Sequence, residues 1–246
     1  MLGVLRSLRA FHRRLGRDSP GGQVIENAEL MAALVPACPR RSFPNCVLYD
    51  DAAALAVRQR ELDTAYREAG VRAWMVWVPE GDTAVASALE RAGHVLDAAP
   101  RAMTVRLDAL RPPAALAEVE HAAGATEVAT LNEAAYGYEP GEFVGLAAAL
   151  EGPWLHRYLV RVDGVPAACA CAFDLGADCH VTLVATVEPY RGRGLAGAVM
   201  WTAVGEAAAR GQATTSLVAT QAGYPLYRRM GYDDLGAVQM WERRRG

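Results

Sequence analysis

The stretch from Cys179 to Gly211 constrains this chain more than any other. CHVTLVATV (179–187) has the branched, half-alternating character of a strand, and RGRGLAG (191–197) places three glycines in seven residues. LAGAVMWTAVGEAAAR (195–210) then reads as a long helix that Gly211 stops. A strand that turns through glycines into a helix start leaves the N–H groups of residues 191–197 unpaired, at the positive end of the helix dipole. Such a turn is a cradle for a pyrophosphate. Gly194 and Ala196 are small enough for a diphosphate to approach the backbone, and Arg191 and Arg193 can add charge.

Gly192 to Gly197 also spell the G-x-G-x-x-G of a dinucleotide-binding turn. That fold needs an acidic residue about 20 positions on, at the end of the next strand, to hold a ribose hydroxyl. Here the next strand is TTSLVATQ (214–221), with no Asp or Glu, and only one further β–α step remains. The dinucleotide reading fails on both counts.

The rest of the chain divides at LRPPAALAE (110–118), a candidate linker with two prolines and no period. Before it, NCVLYD (45–50) and VRAWMVWVP (71–79) read as strands. A helix capped by Asp50 or Asp51 and a short helix over 82–93 alternate with them. Two short strands follow, around 94–96 and 102–107. After the linker come two short helices broken at Gly137–Pro140. A strand pair joined at Asp163-Gly164 follows, then the motif strand, loop and helix. The strand 214–220, a short helix over 224–231 and strand-like AVQMWERR close the chain. Residues 89–107 and 227–244 echo each other when aligned on Gly93 and Gly231, which sets Leu89 against Tyr227.

At 246 residues and 52% hydrophobic, the chain can bury one large core or two small ones. A net charge of −3 gives no basic field for nucleic acid. All 25 cationic side chains are Arg, which excludes a lysine Schiff base or a P-loop lysine. Five cysteines without a C-x-x-C pair fit a reduced, cytoplasmic protein. Cys169, Cys171, Cys179 and His180 read as strand residues rather than metal ligands, so no metal is expected. The Arg-rich N-terminus reads as a surface helix with Leu2, Leu5, Leu8 and Phe11 inward, and no apolar run reaches membrane-spanning length.

TVEPYRGRGLAG (186–197) resembles the acyl-CoA-binding segment of the GNAT superfamily of N-acetyltransferases: Arg or Gln, two residues, Gly, one residue, then Gly or Ala. The match runs Arg191, Gly192, Arg193, Gly194, Leu195, Ala196, with Gly197 inside the helix. ATQAGYPLYRRMGY (219–232) resembles the family's second coenzyme A segment, with Tyr227 and Tyr232 at its aromatic positions. One departure stands in the loop entry: the family's proline position is Glu188, and the proline is Pro189.

The resemblance covers about residues 120–246. It implies an α/β (α+β) fold, with a mixed, mostly antiparallel central sheet flanked by helices. It places an acyl-CoA-binding catalytic domain at 111–246, and the echo adds a degenerate GNAT-like region without the coenzyme A motif at 1–110. It further implies acetyl-CoA as cosubstrate and acetyl transfer to a primary amine of a small molecule or peptide, with room for a homodimer and no nucleic acid or membrane partner. The main chain of Val184, Ala185 and Thr186 is expected to bind the acyl carbonyl and pantetheine. Tyr227 is expected to act as acid toward the leaving thiolate, and His180 as candidate base, with Glu139, Glu142 and water as rivals. A non-catalytic acyl-CoA-binding or regulatory module is the alternative.

Overall fold

A computed structural model describes residues 1–113 and 117–245. The candidate linker 110–118 therefore lies partly outside the described residues. The chain forms two compact units, one of Met1–Arg101 with Gly236–Gly246 and one of Ala102–Leu235.

The first unit begins with helix α1 (Leu2–Asp18) and strands β1 (Gln23–Glu26), β2 (Leu30–Leu34) and β3 (Cys46–Tyr49). Helix α2 (Ala52–Glu68), β4 (Ala73–Pro79), α3 (Thr83–Arg91) and β5 (Val95–Ala98) follow. Asp51 caps α2 by accepting from Ala53 N–H, and Asp82 caps α3 by accepting from Val85 N–H. Helix α1 buries Val4, Leu8, Phe11 and Leu15, while Leu2 is 80% exposed. The inward stripe thus runs at i, i+4, i+7 and i+11, rotated from the face that starts at Leu2. Strands β1 and β2 form a hairpin the sequence does not announce. LMAAL is buried at every position and has no alternation, and Asn27 builds the turn by accepting from Glu29 and Leu30 N–H.

The second unit comprises β6 (Arg101–Arg106, from Ala102 on), β7 (Glu120–His121), α4 (Ala125–Tyr136), α5 (Ala147–Leu150), β8 (His156–Val162) and β9 (Val165–Leu175). It continues through β10 (Asp178–Thr186), α6 (Leu195–Ala209), β11 (Thr214–Ala219) and α7 (Tyr224–Met230) into β12 (Asp233–Arg244). From Gly236 on, β12 belongs to the first unit.

Each unit has a mixed, mostly antiparallel sheet flanked by helices. In the first the order is β1-β2-β3-β4-β12, with β5 along β12, and only β3–β4 is parallel. In the second it is β6-β11-β10-β9-β8-β7, in which β10–β11 is parallel and β10–β9, β9–β8 and β8–β7 are antiparallel. A single cut at 110/111 does not describe these units. The strand that closes the first sequence echo, β6, flanks β11 of the second unit, where Thr104 Oγ1 donates to Thr215 O. The strand that closes the second echo, β12, flanks β4 of the first unit over Val238–Arg244. Each half supplies the other's closing strand.

The second core gathers around α6. Its Ala198, Val199, Ala203, Val204 and Ala207 pack with Ala168, Ala170 and Ala172 of β9 and with Leu217 of β11. Small side chains on both surfaces let the helix approach the sheet closely and fix the position of its first turn.

Candidate active site

Two irregularities in β10 open the site. Thr182 pairs with Cys171 and Ala185 with Cys169, so Leu183 and Val184 together face Ala170. This is a β-bulge, and Leu183 holds the left-handed backbone conformation at φ 52° that a β-bulge allows. On its other edge β10 pairs with β11 only from Asp178 to Val181. Beyond that point the parallel strands part, and the edge of β10 through Thr186 has no partner in β11. Val184, Ala185 and Thr186 line a cavity of about 780 Å³ at this divergence.

The glycine loop forms the next wall. Glu188–Tyr190 make one tight turn, and Tyr190 and Arg191 N–H bond back to Val187 O and Glu188 O. Arg191 N–H is thus already used, contrary to its place in the expected cradle. Gly192 and Gly194 follow at φ 77° and 78°, conformations that an L side chain adopts only with strain. Nothing lies within 4 Å of where a Cβ would stand on either. Ala198 N–H is the first to find a helical acceptor, Gly194 O, so the N–H groups of residues 192–197 have no backbone partner among the described residues. Six donors at the head of a fifteen-residue helix suit a diphosphate. The arginines behave differently from each other. Arg193 lies over the Tyr190 ring, 5.3 Å from its centroid, while Arg191 donates to Thr186 O and Ala135 O.

A valine at Gly194 would suffer left-handed strain of about 1–2 kcal/mol and carry methyl groups into this open space. Gly194→Val is therefore expected to lower Tm by a few degrees and to weaken a coenzyme A ligand at least tenfold. Thermal melts with and without ligand check both effects.

Tyr227 enters from α7, whose Pro225 stands in the first turn and whose Gly231 ends it at φ 99°. Its ring packs 6.0 Å from that of Tyr232, whose hydroxyl bonds Thr215 Oγ1 at 3.1 Å. Tyr227 is 6% exposed and lines the cavity, and its hydroxyl has no hydrogen bond among the described residues. Burial, with a smaller contribution from Tyr136, pushes its pKa well above the ordinary phenol value. Tyr136, at the end of α4, also lines the cavity and donates to Val184 O at 3.5 Å. Sequence reading missed Tyr136 and Arg229; the only local signal for Tyr136 is its place before Gly137. The charged lining residues are Arg191 and Arg229, and no described Asp, Glu or His lines the cavity.

His180 does not reach this cavity. It lies on the paired part of β10 against Ser216, whose hydroxyl sits 2.9 Å from its Nδ1 and donates to Asp178 at 2.5 Å. Glu139 and Glu142 are also elsewhere: Glu142 accepts from Glu139 N–H, within a loop that Glu133 organises by accepting from Gly141, Phe143 and Val144 N–H. Cys169, Cys171 and Cys179 are free and buried. Among the described residues no group of three or more His, Cys, Asp or Glu is placed to hold a metal ion, and no helix is long and apolar enough to cross a membrane.

Burial lowers the pKa of His180 to about 4 against the opposing pull of Asp178, and lowers that of His94 to about 4 with help from Arg243. Both imidazoles fold neutral, while in the unfolded chain they take up protons below about pH 6.5. Their contribution to stability is therefore complete above pH 6.5 and is lost as the pH falls toward 4. Melts between pH 8 and 4.5 are expected to show a flat Tm above neutrality and a fall below pH 6.5; a Tm that rises on acidification contradicts this.

The family model described as the Acetyltransferase (GNAT) family matches residues 119–232. No curated protein matches the chain. Among solved structures, a GCN5-related N-acetyltransferase from Kribbella flavida shares 21% identity and a TM-score of 0.70, covering 99% of this chain and 96% of that one. A GCN5-related N-acetyltransferase from Sphaerobacter thermophilus shares 17% identity at TM-score 0.58, covering 89% and 82%. A tandem GNAT protein from the clavulanic acid biosynthesis pathway shares 16% at TM-score 0.55, covering 92% and 81%. These likenesses carry the fold. Residues 119–232, which hold the splayed strand, the glycine loop and Tyr227, are a GNAT-family acetyltransferase domain.

Proposed function

We propose that the second unit transfers an acetyl group from acetyl-CoA to the primary amine of a small molecule or peptide. The observation that carries this reading is one cavity lined by the donor-rich loop, the unpaired edge of β10 and the Tyr227 phenol. The thioester, when bound, supplies an activated acyl carbonyl and a thiolate leaving group. The N–H groups of residues 192–197 and the α6 dipole hold the diphosphate. The main chain of Val184–Thr186 lies along the pantetheine and offers N–H groups to the charge that develops on the carbonyl oxygen. Tyr227 donates a hydrogen bond to the departing sulfur. With no described carboxylate or imidazole in the lining, the amine arrives neutral and water takes its proton.

Calorimetric titration with acetyl-CoA tests the donor half, and release of free thiol across a panel of amines tests the transfer. Heat of binding with amine-dependent thiol release is expected. Absence of binding at millimolar ligand removes the enzyme reading. Binding without thiol release with any amine moves the assignment to an acyl-CoA-binding module.

A further inference from the structure

The side chain of Arg191 is committed before any ligand arrives. Its Nε donates to Thr186 O at 3.1 Å and its Nη2 to Ala135 O at 2.8 Å. Thr186 is the last residue of β10 and Ala135 the penultimate residue of α4. The Ala135 carbonyl has no helical donor left to it, because Glu139 N–H, four residues on, bonds Glu142 instead. A cation at a helix C-terminus is also well placed against the dipole. A second contact joins the same two elements one residue along each, Tyr136 to Val184 O. Ala135, Tyr136, Val184, Thr186 and Arg191 all line the cavity. The diphosphate cradle, meanwhile, has its own donors in the N–H groups of residues 192–197.

We infer that Arg191 is a positioning residue: its guanidinium fastens the last turn of α4 to the end of β10 and sets the cavity wall beside the splayed strand, rather than gripping phosphate. The fastening stands on geometry alone, whereas its consequence for turnover rests on the acyl-transfer reading above. Two neutral carbonyls on different elements call for a planar fork of donors; a lysine ammonium, a single point of charge, cannot span them in the same way. A wall displaced by about 1 Å leaves ligand affinity nearly intact but misaligns the reacting groups.

The test compares the full chain with Arg191→Lys and Arg191→Met in three readouts. Amide hydrogen exchange over residues 131–137, without ligand, is expected to speed up at least tenfold in both variants. The Kd for coenzyme A is expected to stay within about threefold of the parent, with the same dependence on salt. With the best amine of the panel, kcat is expected to fall about tenfold in both variants at unchanged KM for acetyl-CoA. Unchanged exchange over 131–137 in both variants overturns the fastening. A tenfold loss of coenzyme A affinity in Arg191→Met, with a flatter salt dependence and recovery in Arg191→Lys, overturns the positioning role in favour of a phosphate ligand. A parent that binds no coenzyme A sinks the acyl-transfer reading, while the exchange measurement still decides the fastening.

Discussion

Tyr227→Phe is expected to lower kcat for amine-dependent thiol release by about 10²-fold, while Kd for acetyl-CoA moves by less than twofold. The substitution removes one hydroxyl and keeps the ring that packs on Tyr232, so the cavity retains its shape. On the proposed mechanism the lost group is the donor to the leaving sulfur, and positioned proton donors contribute about 10²–10⁴-fold. An ordinary phenol and thiol differ by only about 1.5 pKa units, which makes full proton transfer inexpensive. Burial of Tyr227 widens that gap. The hydroxyl therefore stays protonated throughout the neutral range, and on the proposed mechanism it acts on the departing thiolate by hydrogen bonding more than by complete transfer. Accordingly, the pH–rate profile is expected to show no falling limb from this group below pH 10. Steady-state kinetics on the variant, paired with calorimetry, check the split; equal losses in affinity and turnover would make Tyr227 a packing residue.

Ending the chain at Leu235 is expected to unfold the first unit. Those last residues include the stretch of β12 that pairs with β4 from Val238↔Pro79 to Arg244↔Ala73 and with β5 from Met240↔Ala98 to Glu242↔Val95. Val238 is fully buried and Trp241 nearly so. Large apolar side chains contribute about 1.5–3 kcal/mol each on burial, and a domain's whole stability is only about 5–15 kcal/mol. The loss of these side chains, together with the strand's ladder to β4 and β5, takes a large share of that margin. Amides of β3 and β4 are expected to exchange as in an unfolded chain, and the edge contact between His94 and the stacked Trp74–Tyr66 pair to vanish from the near-UV spectrum. Protection in β4 equal to that of the full chain contradicts the exchange of closing strands.

Where local chemistry decides, the sequence was readable. Asp51, one of the two residues expected to do so, caps α2, the short helix expected over 82–93 forms as α3, and Asp163 and Gly164 take the paired positive φ values of a tight hairpin turn. Gly93, Gly211 and Gly231 stand at or just after helix ends in left-handed conformation. The loop and Tyr227 share a cavity because motif spacing along one strand–loop–helix–strand–helix path fixes their separation. What the sequence could not show depends on partners far away in the chain. The bulge at Leu183–Val184 lies in TLVA, which holds no glycine to signal it. His180 is buried against its register partner Ser216, whose hydroxyl it meets, a contact set by strand pairing across 36 residues of chain. The arginine of the motif was read as charge for phosphate, but its acceptors, Ala135 and Thr186, are carbonyls that any sequence would carry. The exchange of β6 and β12 is likewise invisible locally, since either strand satisfies the same apolar pattern beside either parallel pair.

The first unit lacks a counterpart of the cradle. Where β3 runs into α2 the chain reads Asp50-Asp51, with Asp51 accepting the N–H that a phosphate would need and Asp50 paired with Arg9. Two carboxylates at that helix start repel an anion. One acyl-CoA site per chain follows from this reading, and calorimetric titration of the full chain with acetyl-CoA tests it most directly. A stoichiometry of one is expected, with a Kd of about 1 μM to 1 mM, the span of common KM values, and at least tenfold weaker binding in Gly194→Val. No heat at millimolar acetyl-CoA, or binding that Gly194→Val leaves untouched, would contradict it.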